Sequence, residues 1–470
     1  MESILGYAVV AIKVLALFGA AIFVHEFGHY WVARRCKMVV LEFAIGFGPK
    51  IFSWMVDGVA WSLRWIPAGG FVKLPQMVTS EAIEGKSDGS VPPAEPWKRI
   101  CVAFAGPAMN VAFALTIALF LYFFGVPVLQ NDAVIGRVTA ESPEGQVGIQ
   151  AKDRIVAING QKVKSWQDVG IEVLTARSNI IQVTFDRSGT SLTVPLPTKT
   201  SETLGGMKYL DLEPLERPVI GAVEPTMPAG KVGLKSGDQF VSFDGVHVIN
   251  QDHLIELVRK GEGRSCEVVI ERDQQRLTYQ ITPIYDSVNK RGRIGISFAA
   301  GHYVLQRPGP TPMQQFNEVF SLLGKTVTAL WYSSETGVKA SDMSGPVGIL
   351  GSLAVEVRTD FRRALKFMVL LNLNLAILNL LPLPVLDGGH ILMALYELIT
   401  RRRVSLRIQE VATTVFALAL ISFMLYVSFF DVTKRLPIFK ALLSQESVVD
   451  PSRSSGTPSS NTVPASAPTQ

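Results

Sequence analysis

The stretch that decides the fold is residues 3–37, SILGYAVVAIKVLALFGAAIFVHEFGHYWVARRCK, apolar from Ser3 to Ala33 apart from Lys13 and a polar group at His25, Glu26 and His29, with Arg34, Arg35 and Lys37 following at once. It exceeds the roughly 20 residues that cross a hydrocarbon core, so it predicts a transmembrane helix. The short apolar core and small-residue cleavage site of a secretory signal are not evident. Working outward, residues 102–128, 367–399 and 411–430 are three further apolar regions. Across the 470 residues only 18% are charged while 48% are hydrophobic, and the mean hydropathy is +0.28. That balance fits a membrane protein with a sizeable soluble part and excludes a disordered or fibrous chain. The three cysteines, Cys36, Cys101 and Cys266, make neither a disulfide framework nor a zinc ribbon.

Basic residues orient the spans. Arg34, Arg35, Lys37, Lys98 and Arg99 flank the loop between the first two, and Arg401, Arg402, Arg403 and Arg407 lie between the last two. By the positive-inside rule both loops are cytoplasmic, which puts the N-terminus, residues 129–366 and the C-terminus on the other side. The third region is too long for one straight span and holds Pro382 and Pro384, so a broken helix lining a cavity is expected there. The end, residues 447–470, is rich in Ser, Thr and Pro and reads as a disordered tail.

The soluble segment repeats itself at an offset of 85 (219 − 134). Val134, Ile135, Gly136 and Val138 recur as Val219, Ile220, Gly221 and Val223. Further on, Gly148, Asp153, Val156 and Gly160 recur as Gly233, Asp238, Val241 and Gly245. Two copies of one small module are expected, near 129–213 and 214–300. GIQAKDRIVAING (148–160) and GLKSGDQFVSFDG (233–245) each read as a turn, a strand and a second turn. Lys152 stands where the second copy has Gly237, so the first copy's turn is expected to differ.

His25-Glu26-Phe27-Gly28-His29 is an H-E-x-x-H pattern. Residues four apart share a helix face, so both imidazoles can reach one Zn²⁺ and Glu26 can act as general base. Two interfacial histidines are the plainer alternative, but ionisable groups inside a span are costly and usually face a site. His29 lies five residues before Arg34, about 7.5 Å along a helix, which puts the site just inside the cytoplasmic boundary. A third ligand is needed. Asp387, in LPLPVLDGGH (381–390), is the sole acid between Asp360 and Glu397, and Gly388-Gly389 suggest a close backbone approach after it. His390 is its rival.

HEFGH in the first span, Leu-Asp-Gly after a Pro-rich break in the third, and the module pair between spans two and three together resemble the site-2 protease family of intramembrane zinc metalloproteases. The modules are similar to circularly permuted PDZ domains, whose mark is a Gly-Leu-x-x-Gly-Asp run; a spacer that binds nothing is the alternative. The resemblance covers about residues 1–435 and implies a polytopic α-helical membrane protein. It would have four transmembrane helices, the third one broken, two inserted α+β PDZ-like domains and a membrane-associated β-hairpin. The implied domains are 1–128 (two spans with HExxH and a cytoplasmic β-loop), 129–213 and 214–300 (PDZ-like), 301–366 (amphipathic linker), 367–435 (two spans with the LDG motif) and 436–470 (tail).

The same resemblance implies one Zn²⁺ per chain held by His25, His29 and Asp387, with Glu26 catalytic. It assigns substrate handling to Asn374 and Asn379, which helix–helix hydrogen bonding would equally explain. Residues 46–74, with Gly69, Gly70 and Phe71, resemble a membrane-reentrant β-loop that presents an edge to an unwound substrate; an ordinary cytoplasmic hairpin is the alternative. AGPAMN (105–110) reads as structural, SGPVGI (344–349) matches the family's segment after the modules, and residues 313–331 read as an amphipathic helix on the outer surface. The implied activity is cleavage of the transmembrane segment of single-span proteins, such as an anti-sigma factor or remnant signal peptides, after a first extracytoplasmic cut. The implied setting is the bacterial inner membrane, with the lipid bilayer and peptide chain ends as partners and no nucleic acid. A non-catalytic membrane scaffold with structural zinc is the rival from another class, and a metalloprotease whose modules only tether it is the rival among enzymes.

Overall fold

The computed structural model describes residues 2–77, 92–139, 141–201, 207–286, 291–299, 301–402, 404–435 and 448–450. Helix α1 (Glu2–Arg35) carries the HEFGH stretch, and the hairpin β1 (Glu42–Val56) and β2 (Val59–Lys73) follows it. Helix α2 (Pro96–Phe124) starts on a proline whose missing N–H costs nothing at that position. It stops at Gly125, which takes φ +80°, and the chain continues as strand β3 (Val126–Leu129). The expected second span, 102–128, is therefore too long at its C-terminal end: its last residues are extended.

Strand β3 pairs antiparallel with His302–Gln306, so both modules are inserted between two adjacent strands. On the far edge of that strand Val448–Asp450 pairs in parallel with His302–Val304. These three residues of the expected disordered tail are thus a strand, held by ladder hydrogen bonds that need no particular side chain. The rest of the tail lies outside the described residues.

After the modules come α3 (Pro312–Trp331), α4 (Pro346–Thr359), α5 (Phe361–Asn379), α6 (Asp387–Thr400) and α7 (Leu406–Phe430). Among the described residues three helical stretches are long and apolar enough to cross a membrane: Leu5–Arg35, Pro96–Phe124 and Arg407–Thr433. The third apolar region is instead the pair α5 and α6, separated at residues 380–386, where Pro382 and Pro384 have no N–H to continue a helix. A shared core joins α1 to α5 through Ala21, Ala118, Leu121, Val319, Leu353 and Met368. SGPVGI opens α4. There Gly348 N–H donates to the buried Asp431 carboxylate at 2.8 Å, and a Cβ on Gly348 would lie 2.6 Å from that carboxylate. Glycine is required for an acid from the end of α7 to reach this helix start.

The two modules repeat one topology. Each has a four-stranded sheet, in spatial order Gln161–Lys162, Arg154–Ile158, Ile180–Arg187, Thr190–Pro197 in the first, and Val246–His247, Gln239–Phe243, Cys266–Arg272, Gln275–Ile281 in the second. One helix packs on each sheet, Trp166–Leu174 and Gln251–Lys260, over cores built on Ile155, Ile158 and Phe185, and on Phe240, Phe243 and Val268. Asp153 and Asp238, the repeated acids, are buried and each accepts two hydrogen bonds from one guanidinium, Arg187 and Arg272 respectively. Those arginines also donate to Gly148 and Gly233. The partners obey the same offset of 85 (272 − 187). The first turn does not differ as expected: Lys152 adopts φ +76° where Gly237 has +93°. The clamp and the flanking ladder hold Lys152 in a left-handed conformation that a non-glycine residue enters at a cost.

Candidate metal centre

Helix α1 places His25 and His29 one turn apart, with ring centroids 4.8 Å apart. The close crossing of α1 and α2 depends on two glycines. A Cβ on Gly28 would lie 2.5 Å from Ala105 O, and one on Gly106 would lie 2.3 Å from His29 Nε2. Small residues at such a crossing let backbones approach and leave the imidazoles room between the helices.

Asp387 arrives from a distant part of the chain as the first residue of α6. The turn before it is tight: a Cβ on Gly388 would meet Leu381 O at 2.2 Å, and one on Gly389 would meet Leu383 O at 2.2 Å. Gly388-Gly389 thus allow residues 380–384 to fold over the start of α6. At its other end α6 is tied to the start of α2 by an ion pair between Glu397 and the buried Arg99, whose Nε also donates to Ala94 O at 3.1 Å. The lysine-free pairing of two nearly buried groups fixes how α6 lies against α2.

The three ligand-type residues meet. His25 Nε2 lies 3.4 Å from Asp387 Oδ2, His29 Nε2 lies 3.5 Å from Asp387 Oδ1, and the two Nε2 atoms are 3.2 Å apart. Donors each about 2.05 Å from a shared tetrahedral Zn²⁺ stand about 3.3 Å from one another, so these separations fit that ion. Among the described residues this is the one group of three or more histidine, cysteine or acid side chains close enough to share an ion. His29 Nδ1 is 2.7 Å from Val102 O. A carbonyl only accepts, so that nitrogen carries the proton and Nε2 presents its lone pair inward. His390, the rival of Asp387, lies outside the group and lines a small cavity with Met77, Arg99, Met393 and Gln409. His247 and His253 bond to backbone within the second module.

Glu26 is buried beside the pair and lies against β2, for a Cβ on Gly70 would come within 2.8 Å of Glu26 Cγ and 2.8 Å of Ala44 O. Strand β2 pairs with β1 twice. Phe43 faces Trp61 on one side and Val72 on the other, so residues 70–73 form an outer edge beside the helix that carries Glu26. Gly69 takes φ +122° with the Phe47 ring packed on it, and Phe71 stacks near Phe47 under the Arg64 guanidinium. Asn374 lies on α5 and Asn379 is its last residue, just before the turn that leads to Asp387. Both stand outside the three-residue group.

One reading needs correction. AGPAMN does not act only in packing: buried Asn110 reaches His25, its Nδ2 lying 3.2 Å from His25 Nδ1. The sequence does carry a signal for this. Asn110 follows Gly106 by four residues, on the face that the glycine turns to the histidines.

Two histidines and an acid converging between apolar helices, with a further acid alongside, define a membrane-embedded metallopeptidase. The comparisons agree. The chain belongs to Peptidase family M50, whose model matches residues 13–423, and it is a zinc metalloprotease of the site-2 type. It is 30% identical over 421 residues to the regulator of sigma-E protease RseP of Escherichia coli, covering 83% of this chain and 91% of that one. RseP of Salmonella typhimurium is 28% identical over 443 residues, covering 86% and 94%. A protein of Neisseria meningitidis is 31% identical over 443 residues, covering 88% and 96%. Among solved structures, the PDZ domain of an SdrC-like protein from Listeria monocytogenes is similar over 17% of this chain and 86% of its own, at 19% identity and TM-score 0.16, a likeness too slight to argue from.

Proposed function

We propose that His25, His29 and Asp387 hold one Zn²⁺ per chain, that Glu26 is the general base, and that the bond cut lies within the transmembrane segment of a single-span protein. The convergence of the three donor atoms at 3.2–3.5 Å carries this reading. When bound, the ion supplies Lewis-acid polarisation of the scissile carbonyl. Glu26, one residue from His25 on the same helix, takes the proton of the attacking water and later returns it to the leaving amine.

A substrate helix hides its carbonyls in its own hydrogen bonds, so it must be unwound before it is cut. The outer edge of β2 at Gly69, Gly70 and Phe71 offers replacement backbone bonds beside Glu26, by strand addition. Asn374 and Asn379 offer amide donors and acceptors from the side of the broken helix. The topology proposed is four crossings of the bacterial inner membrane, with α5 and α6 together making the third. Both termini and the PDZ-like modules, 129–213 and 214–300, are periplasmic, and the centre is near the cytoplasmic face. The modules read peptide ends, and the substrates are anti-sigma factors or remnant signal peptides already cut outside the membrane.

The test is cleavage of a tagged single-span anti-sigma fragment by the parent and by Glu26→Gln, with zinc measured on both. Cleavage by the parent alone, with one zinc in each, is the expected result. Zinc in both with no cleavage of any truncated single-span substrate would instead favour a scaffold.

A further inference from the structure

Asn110 is fully buried on α2, and its Oδ1 has no hydrogen-bond partner among the described residues. Its amide nevertheless points at His25, with Nδ2 3.2 Å from His25 Nδ1. Leaving a buried carbonyl unpaired is costly, so the residue calls for an explanation.

The tautomers supply it. His29 donates its Nδ1–H to Val102 O at 2.7 Å, which leaves the Nε2 lone pair free. His25 also turns Nε2 toward Asp387 and His29. To ligate through Nε2, a neutral His25 must carry its proton on Nδ1, and that N–H needs an acceptor. The amide nitrogen now beside it is a donor and suits only the other tautomer, which blocks Nε2. A half-turn of the amide exchanges nitrogen and oxygen with no change of shape.

We propose that Asn110 is the positioning residue for the His25 ligand. Its Oδ1 accepts the His25 Nδ1–H and so selects the tautomer that binds metal, as Val102 O does for His29. This rests on the zinc reading above. The two histidines are thus oriented from one helix, α2, one by a main-chain carbonyl and one by a side chain.

The experiment measures zinc affinity of the full-length detergent-purified protein by competition with a chelator, for the parent, Asn110→Leu and Asn110→Asp. Leucine keeps the volume and has no acceptor, whereas aspartate has acceptors only. Zinc affinity should fall about 10- to 100-fold in the leucine variant and return to within a few-fold of the parent in the aspartate variant. Leucine within about twofold of the parent, or aspartate as weak as leucine, would overturn the assignment. If the leucine variant does not fold, aspartate decides alone: parental affinity supports the role, and a tenfold loss removes it. A parent that holds no zinc would overturn the metal reading itself, a result distinct from these.

Discussion

The two modules and the helical centre both hold acids largely out of solvent, and they treat them in opposite ways. In each module the buried acid is answered from within: Asp153 by Arg187 and Asp238 by Arg272, with two bonds apiece. Backbone N–H groups of Gln150 and Lys235 add a third contact to each. Charge and hydrogen bonds close locally, and the same clamp serves twice. In the centre, Asp387 faces two imidazoles that turn their Nε2 atoms toward it, and its ion-pair partners among the described residues are those two histidines. A polar site that completes itself stabilises a fold. One that gathers lone pairs of three residues is suited to a cation.

Four expected outcomes would break or sharpen this contrast. The largest concerns the centre: Asp387→Ala should abolish zinc retention, read by metal analysis of the purified protein, while amide exchange in the modules stays at the parental level. Loss of module protection as well would mean that the two regions are not independent. Next, Asp238→Ala should destabilise the second module by about 2–3 kcal/mol, since charged hydrogen bonds are lost and Arg272 is left unpaired. Hydrogen exchange confined to residues 216–299 is the readout, and zinc content should not change.

A smaller effect is the acid response of the first module. Burial works to raise the Asp153 carboxyl, but the Arg187 bonds and the Gln150 N–H outweigh it and hold it below the usual carboxylate range. A depressed carboxylate contributes stability above its unfolded value near about 4, and that contribution is lost as pH falls through the lower folded value. Exchange protection in this module should therefore weaken on the acid side of about pH 4, and Arg187→Gln should remove most of that dependence. The smallest effect tests the turn that both copies share. Lys152→Gly should stabilise the first module by up to about 1 kcal/mol, and Gly237→Ala should destabilise the second by a similar amount, because both positions have positive φ.

Much of the centre was legible. His25 and His29 are four apart in an apolar run, which marks a pair on one helix face, and Asp387 stands out as an isolated acid beside a double glycine, with His390 left as its rival. The repeat was legible because its acids and glycines recur without a gap. The arginines that complete the clamps were readable by extending the same offset to 187 and 272, 34 residues beyond their acids. Asn110 was read as a packing residue: its place one turn after Gly106 marks a helix face, and only the crossing with α1 shows that this face meets His25. The second pairing of β2 was also hidden, as one continuous apolar–polar alternation gives no sign that residues 70–73 cross to the far side of β1.

The sequence by itself determined which segments are apolar enough to leave water, where proline stops a helix, and which module is duplicated. These depend on composition and short-range backbone chemistry. Tertiary structure alone decided that Asp387, and not His390, joins the two histidines, that Gly28 and Gly106 bring α1 against α2, and that β2 ends beside Glu26. Such contacts join residues tens to hundreds of positions apart, and their distances are set by helix crossings a few ångströms wide, which no spacing along the chain encodes.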